Sequence, residues 1–79
     1  MVKYSDIVVK RMKELCEEHG ITPNRLATLA GMRQSTISNL INGYTNIPNL
    51  RTLNRMARGF GMTVSEFLDF PEMNNFSEK

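Results

Sequence analysis

The sequence predicts a small, compact all-α domain built from five helices. Apolar residues recur at helical spacing along most of the 79-residue chain, and this period indicates amphipathic helices. The periodic segments stop at glycine or proline, where helices usually end. These stops are Gly20, Gly31, Gly43, Gly61 and Pro71. A chain of this length has room for one domain, which we expect over residues 1–70, followed by a polar tail over 71–79.

The first helix is predicted over residues 5–19. Ser5 or Asp6 would cap its N-terminus, because a short polar side chain accepts a hydrogen bond from the free N–H groups of the first turn. Its apolar face consists of Val8, Met12 and Leu15.

The central stretch, residues 23–42, predicts two short helices joined by a tight turn that contains Gly31. Thr22 can cap the first of these helices. Pro23 fits its first position, because the N–H that proline lacks would have no partner there. Gly31 then supplies the positive φ angle that often follows a helix.

The second helix of this pair is predicted over residues 34–41, with Ile37, Leu40 and Ile41 on one face. The other face carries short, uncharged hydrogen-bonding side chains. These are Gln34, Ser35, Ser38, Asn39 and Asn42. Two helices joined in this way form a helix-turn-helix, whose second helix lies in the DNA major groove.

Two further helices complete the prediction. The fourth begins at Pro48 or Asn49, and its inward face consists of Leu50, Leu53, Met56, Ala57 and Phe60. Thr63 and Glu66 have the spacing of a capping box, which starts the fifth helix. The core anchors of this last helix are Val64, Phe67 and Leu68, and it stops before Pro71.

The charges are segregated along the chain, so the net charge of +2 understates the electrostatics. Residues 1–18 are balanced and residues 66–79 are acidic. Residues 19–65 carry five arginines and no aspartate or glutamate. A polyanion is the partner that best explains a purely basic domain centre.

The composition argues against enzymes, metal sites and membrane proteins. One cysteine and one histidine cannot build a zinc site or an ordinary nucleophile–base pair, so we expect no catalysis, no metal and no cofactor. A lone cysteine suits a reducing compartment, and the apolar runs are far shorter than a membrane span of about 20 residues. We expect a cytoplasmic protein without a small-molecule ligand.

The residues of the central stretch resemble a known family. The pattern L-A-x-x-A-G-x-x-Q-S-T-I-S-x-L-x-N-G over residues 26–43 is similar to the phage Cro/repressor-type (Xre-like) helix-turn-helix family, and the similarity extends over residues 8–70. It implies a lambda-repressor-like fold and a transcriptional regulator, most simply a repressor. Such a protein would bind a palindromic double-stranded operator as a homodimer.

The resemblance assigns roles to particular residues. Gln34, Ser35, Asn39 and Arg33 match positions that contact bases, although Arg33 could pair with a phosphate instead. The predicted phosphate contacts are Asn24, Ser38, Asn42, Tyr44, Thr45 and Asn46. Tyr44 departs from the lysine or arginine that the family usually has there.

A second departure concerns the core. Many family members pair an arginine late in the first helix with a glutamate just before Asn42, and Cys16 and Ile41 occupy those positions here. Because packed apolar residues can replace a buried ion pair, we predict that Cys16 and Ile41 lie near each other in the core.

Two interpretations remain open. The arginines of the fourth helix, Arg51, Arg55 and Arg58, either follow a DNA backbone or form a solvated face, and the second is preferred. The acidic tail with Met73 and Phe76 also allows a protein-interaction module, such as an antitoxin or adaptor built on the same fold.

Overall fold

Six helices follow one another in a computed structural model that describes residues 4–43 and 48–75. They are α1 (Tyr4–His19), α2 (Pro23–Ala30), α3 (Gln34–Ile41), α4 (Leu50–Gly59), α5 (Val64–Leu68) and α6 (Pro71–Asn74). No described residue lies in a strand. The all-α prediction is confirmed, with one helix more than the sequence indicated.

Side-chain caps begin the helices α2, α4 and α5. Those of Thr22 and Thr63 were predicted, whereas Asn49 was predicted only as a possible first residue of its helix. The side chains of Thr22 and Asn49 each accept a hydrogen bond from the backbone N–H three residues later, at 3.2 and 2.8 Å. Thr63 and Glu66 form the reciprocal capping box, with bonds of 3.1 and 2.9 Å. These bonds satisfy N–H groups that a helix start leaves without partners.

The core lies between α1, α2, α3, α4 and α5. Its buried cluster consists of Val8, Met12, Leu15, Cys16, Leu26, Ala27, Ile37, Leu40, Met56, Ala57, Phe60 and Phe67. The helices α2 and α4 lie close together at Gly59, which faces Leu26 and Ala30. This packing fixes α2, and with it the turn that leads into α3.

Two predictions about side-chain positions were wrong. Leu50 is 68% exposed, because partial burial along α4 begins only at Thr52 and burial is complete at Met56. The first turn of α4 therefore extends past the core. Ser5 lies inside α1 and is buried, since it stands three residues before Val8 on the apolar face. Neither Ser5 nor Asp6 is an N-cap.

The predicted tail contains α6, which begins at Pro71. Pro71 was predicted only to end the fifth helix, although proline also suits the first position of a new helix. Met73 packs against the core cluster. Lys10 Nζ lies 2.9 Å from Glu72 Oε2, and this carboxylate raises the pKa of Lys10. These contacts join α6 to α1.

Arg11 fastens the C-terminal helices to α1, a role that the sequence did not indicate. Its Nε donates to the carbonyl of Phe67 at 3.0 Å and its Nη2 donates to that of Glu66 at 3.3 Å. The guanidinium carbon lies 5.1 Å from the centroid of the Phe70 ring. Arg11 thus gives the Phe67 carbonyl a partner at the end of α5. It also adds a second donor to the Glu66 carbonyl, which accepts from the N–H of Asp69 as well.

Cys16 is a core residue, as predicted for a residue that replaces the arginine of a buried ion pair. It is 3% exposed, and Ile41 packs against the cluster to which it belongs. Burial raises the pKa of the Cys16 thiol. The direct contact between Cys16 and Ile41 stays a prediction.

Candidate nucleic-acid interface

The candidate interface is built on α2, the turn after it, and α3. Gly31 ends α2 in the left-handed conformation, with φ 68° and ψ 33°. The N–H of Gly31 donates to the carbonyl of Thr28, and the N–H of Met32 donates to that of Ala27. A residue with a Cβ would be strained at this φ, so glycine is what permits the chain to leave α2 and enter α3 within three residues.

One face of α3 is anchored and the other is exposed. Ile37 and Leu40 are 1% and 3% exposed, and both belong to the core cluster. The opposite face is exposed at Gln34, Ser35, Ser38 and Asn39. The helix is therefore held by its apolar side and presents only uncharged polar side chains outward.

A hydrogen bond joins the start of α3 to the start of α2. Gln34 Nε2 donates to the backbone carbonyl of Asn24 at 3.2 Å, and the same carbonyl accepts from Thr28 Oγ1 at 3.3 Å. The structure thus brings together Gln34, a predicted base contact, and Asn24, a predicted phosphate contact. No sequence pattern predicts this bond, because ten residues separate its partners.

Asn42 and Ser38 form a second pair at the end of α3. Asn42 Nδ2 donates to Ser38 Oγ at 3.3 Å, and both residues are exposed. Gly43 follows with a φ of 76°, as predicted for a left-handed cap. The remaining predicted phosphate contacts, Tyr44, Thr45 and Asn46, lie outside the described residues.

Arg33 occupies the N-cap position of α3 in extended conformation, and its side chain makes no capping hydrogen bond. It is exposed next to Gln34 and Ser35. With Arg25 it adds positive charge to a surface whose sequence neighbourhood, residues 19–65, contains no carboxylate side chain. The segment that forms this surface therefore adds no negative charge that would oppose an approaching anion.

Other kinds of site find no support in the described part of the chain. Residues 4–43 and 48–75 hold no group of three His, Cys, Asp or Glu side chains that could ligate a metal ion. None of the described helices has the length and apolar character to cross a membrane.

Known proteins are similar to this chain in sequence or in structure. Residues 12–67 match the family model described as helix-turn-helix. HTH-type transcriptional regulator PuuR of Escherichia coli (strain K12) is 32% identical over 63 residues, or 80% of this chain and 34% of PuuR. PuuR of Shigella flexneri matches equally. The chain spans about a third of the length of these curated relatives.

A solved structure extends the similarity to nearly the whole chain. The crystal structure of the prophage Lp1 protein 11 aligns with a TM-score of 0.86 and 33% sequence identity. The alignment covers 96% of this chain and 100% of that one.

Proposed function

This chain belongs to the helix-turn-helix family of DNA-binding transcriptional regulators, and we propose that it is a sequence-specific repressor that inserts α3 into the major groove of duplex DNA. One observation carries the proposal. The exposed face of α3 is uncharged and rich in amide and hydroxyl groups, whereas a face that served only solubility would be expected to carry lysine and glutamate.

Base recognition is assigned to Gln34, Ser35, Asn39 and Arg33. A carboxamide can bond bidentately to adenine in the major groove, a hydroxyl can bond to several bases, and a guanidinium matches guanine. The family membership supports this assignment, and so does the placement of these residues. Gln34 and Ser35 lie in the first turn of α3, Arg33 lies just before it, and Asn39 is exposed on the same outward face.

Phosphate contacts would hold α3 in register without reading sequence. Asn24 lies in the first turn of α2, where free N–H groups and the helix dipole favour anions. The other proposed phosphate contacts are Ser38, Asn42, Tyr44, Thr45 and Asn46. Because such contacts release counterions, affinity should fall steeply as salt concentration rises.

The proposed assembly is a homodimer on a palindromic operator. Two copies of α3 would then enter successive major grooves about 34 Å apart. Binding across a promoter would repress transcription by excluding RNA polymerase. PuuR is a transcriptional regulator by name, which supports a regulatory role for this chain.

The experiment is selection of bound duplexes from random DNA at a stated salt concentration, followed by affinity measurements on variants. Ser35→Ala and Ser65→Ala form a matched pair, because each serine is exposed at the second position of a helix. Ser35→Ala should relax the preference at one base pair, and Ser65→Ala should leave it unchanged. Asn39→Ala should cost about 1–3 kcal/mol of binding on the selected site.

The proposal fails if the wild-type chain binds no duplex even at low salt. It fails in part if the Ser35 and Asn39 variants keep the wild-type sequence preference, since α3 would then not be the recognition element. Equal losses on every sequence would instead assign those side chains to the DNA backbone.

The alternative, a protein-interaction module that uses the tail, gains no support from the described contacts. Met73 is packed against the core and Glu72 is paired with Lys10, so neither offers a free docking surface. Phe76 lies outside the described residues. Truncation after Asn75 should leave DNA binding intact, whereas loss of a protein partner on truncation would favour the alternative.

A further inference from the structure

A shallow groove lies between the turn that precedes α3 and the side of α4. Its lining residues are Gly31, Met32, Arg33, Thr36, Thr52 and Arg55. Two of them are arginines, two are threonines, and none is acidic. The groove therefore lies between the start of the proposed recognition helix and α4, the helix whose arginines the sequence predicts to form a solvated face.

The polar side-chain groups of this groove have no hydrogen-bond or ion-pair partner among the described residues. The only described ion pair joins Lys10 and Glu72, and no described hydrogen bond involves the guanidinium of Arg33 or Arg55 or the hydroxyl of Thr36 or Thr52. All four residues have accessible surface. Two positive charges that line one groove repel each other unless an anion lies between them.

A phosphate group is the anion that these donors fit. Guanidinium groups bind phosphate oxygens through paired N–H donors, and the two threonine hydroxyls add donors on the same walls. Arg33 directly precedes Gln34, so a phosphate in the groove would lie beside the bases that α3 is proposed to contact. We infer that the groove between Arg33 and Arg55 binds a backbone phosphate of the duplex, next to the surface of α3. This inference gives Arg33 the phosphate contact that the sequence left open as the alternative to a base contact.

This inference rests on the proposed function. It gives Arg55 a different role from the other arginines of α4. Arg58 lines a different groove, whose walls include the carboxylate residue Glu66. A carboxylate residue therefore shares the groove of Arg58, whereas none lines the groove of Arg55. The solvated interpretation of the arginine stripe then holds for Arg58 and is replaced at Arg55 by a phosphate contact.

The test compares Arg55→Gln with Arg58→Gln in the full chain. Both variants lose one positive charge from an exposed position of the same helix, so a nonspecific loss of charge affects them alike. Affinity is measured by fluorescence anisotropy on a selected duplex and on a scrambled duplex, over a series of salt concentrations. Arg55→Gln should reduce the slope of log affinity against log salt concentration by about 0.9, as expected for one lost phosphate contact.

The loss for Arg55→Gln should be the same factor on both duplexes, because phosphate contacts carry no base preference. Arg58→Gln should keep a larger share of the wild-type slope. Equal slopes for the two variants would overturn the inference while leaving the proposed function standing. Failure of the wild-type chain to bind any duplex would overturn both the proposed function and the assignment of the groove to DNA.

A second measurement distinguishes backbone phosphate from free phosphate. Inorganic phosphate is titrated into the wild-type chain while the Nε–Hε NMR signals of Arg33, Arg55 and Arg58 are followed. Shifts confined to Arg33 and Arg55, together with the DNA result for Arg55→Gln, support the inference. Such shifts without a DNA effect would assign the groove to a free phosphate compound and overturn the DNA assignment.

Discussion

Substitution of Gly59 by alanine tests the packing that fixes the helix-turn-helix against α4. A Cβ at this position would lie 2.8 Å from Leu26 Cδ1 and 3.3 Å from Ala30 Cβ. Within a helix, alanine is favoured over glycine by about 1 kcal/mol. Overpacking a core costs about 1–3 kcal/mol, and Leu26 is fully buried, so it has little room to move. The clash should therefore win, with a net loss of about 1 kcal/mol in the free energy of unfolding.

Denaturant and thermal unfolding followed by circular dichroism measure this loss. A net cost of about 1 kcal/mol should lower Tm by roughly 4–8 °C in a domain of this size. In a Leu26→Val background the nearest clashing atom is absent, so Gly59→Ala should become neutral or stabilising, and the two changes should not add. If Gly59→Ala raises stability in the wild-type background, the contact between α2 and α4 is looser than the structure has it.

Three more predictions concern the scaffold. Arg11→Gln removes two bonds to α5 carbonyls and should lower the unfolding free energy by about 1–3 kcal/mol, whereas a loss as small as that of an exposed lysine substitution would refute its anchoring role. Thr63→Ala should cost about 1 kcal/mol through the lost capping box, measured by urea unfolding. Burial raises the pKa of Cys16 above its ordinary value of 9.0, so its share of stability is present below that pH and declines as pH rises above it. Cys16→Ala should flatten this decline in a pH series of unfolding curves, and alkylation of Cys16 should require unfolding.

Local sequence signals predicted the helix bounds well because the caps are local. Thr22, Gly31 and Thr63 act on N–H groups or φ angles within a few residues, and each has the predicted conformation or hydrogen bond. The family pattern was confirmed by the match over residues 12–67. The bounds of α3 are those predicted, since its apolar period and the flanking turn agree.

The features that escaped prediction depend on tertiary contacts. Leu50 has the helical period of a core residue, but its exposure depends on where the neighbouring helices end. Arg11 binds carbonyls 55 and 56 residues away, and no period in the sequence encodes such a partner. The α6 helix is four residues long, which is too short to show a periodic pattern. Its packing against α1 is a tertiary contact that a local pattern does not predict.

The fold also determines how much freedom the proposed recognition side chains retain. Gln34 donates one amide N–H to the carbonyl of Asn24, which leaves its second N–H and its side-chain oxygen available, the donor and acceptor that adenine requires. Fixing a glutamine side chain costs up to about 2 kcal/mol of rotamer entropy, and part of this cost falls on folding here instead of on binding. Asn39 has no described side-chain partner and would be ordered only by DNA. The turn at Gly31 therefore does more than connect two helices: by placing Asn24 beside Gln34, it orients one proposed base contact before the duplex arrives.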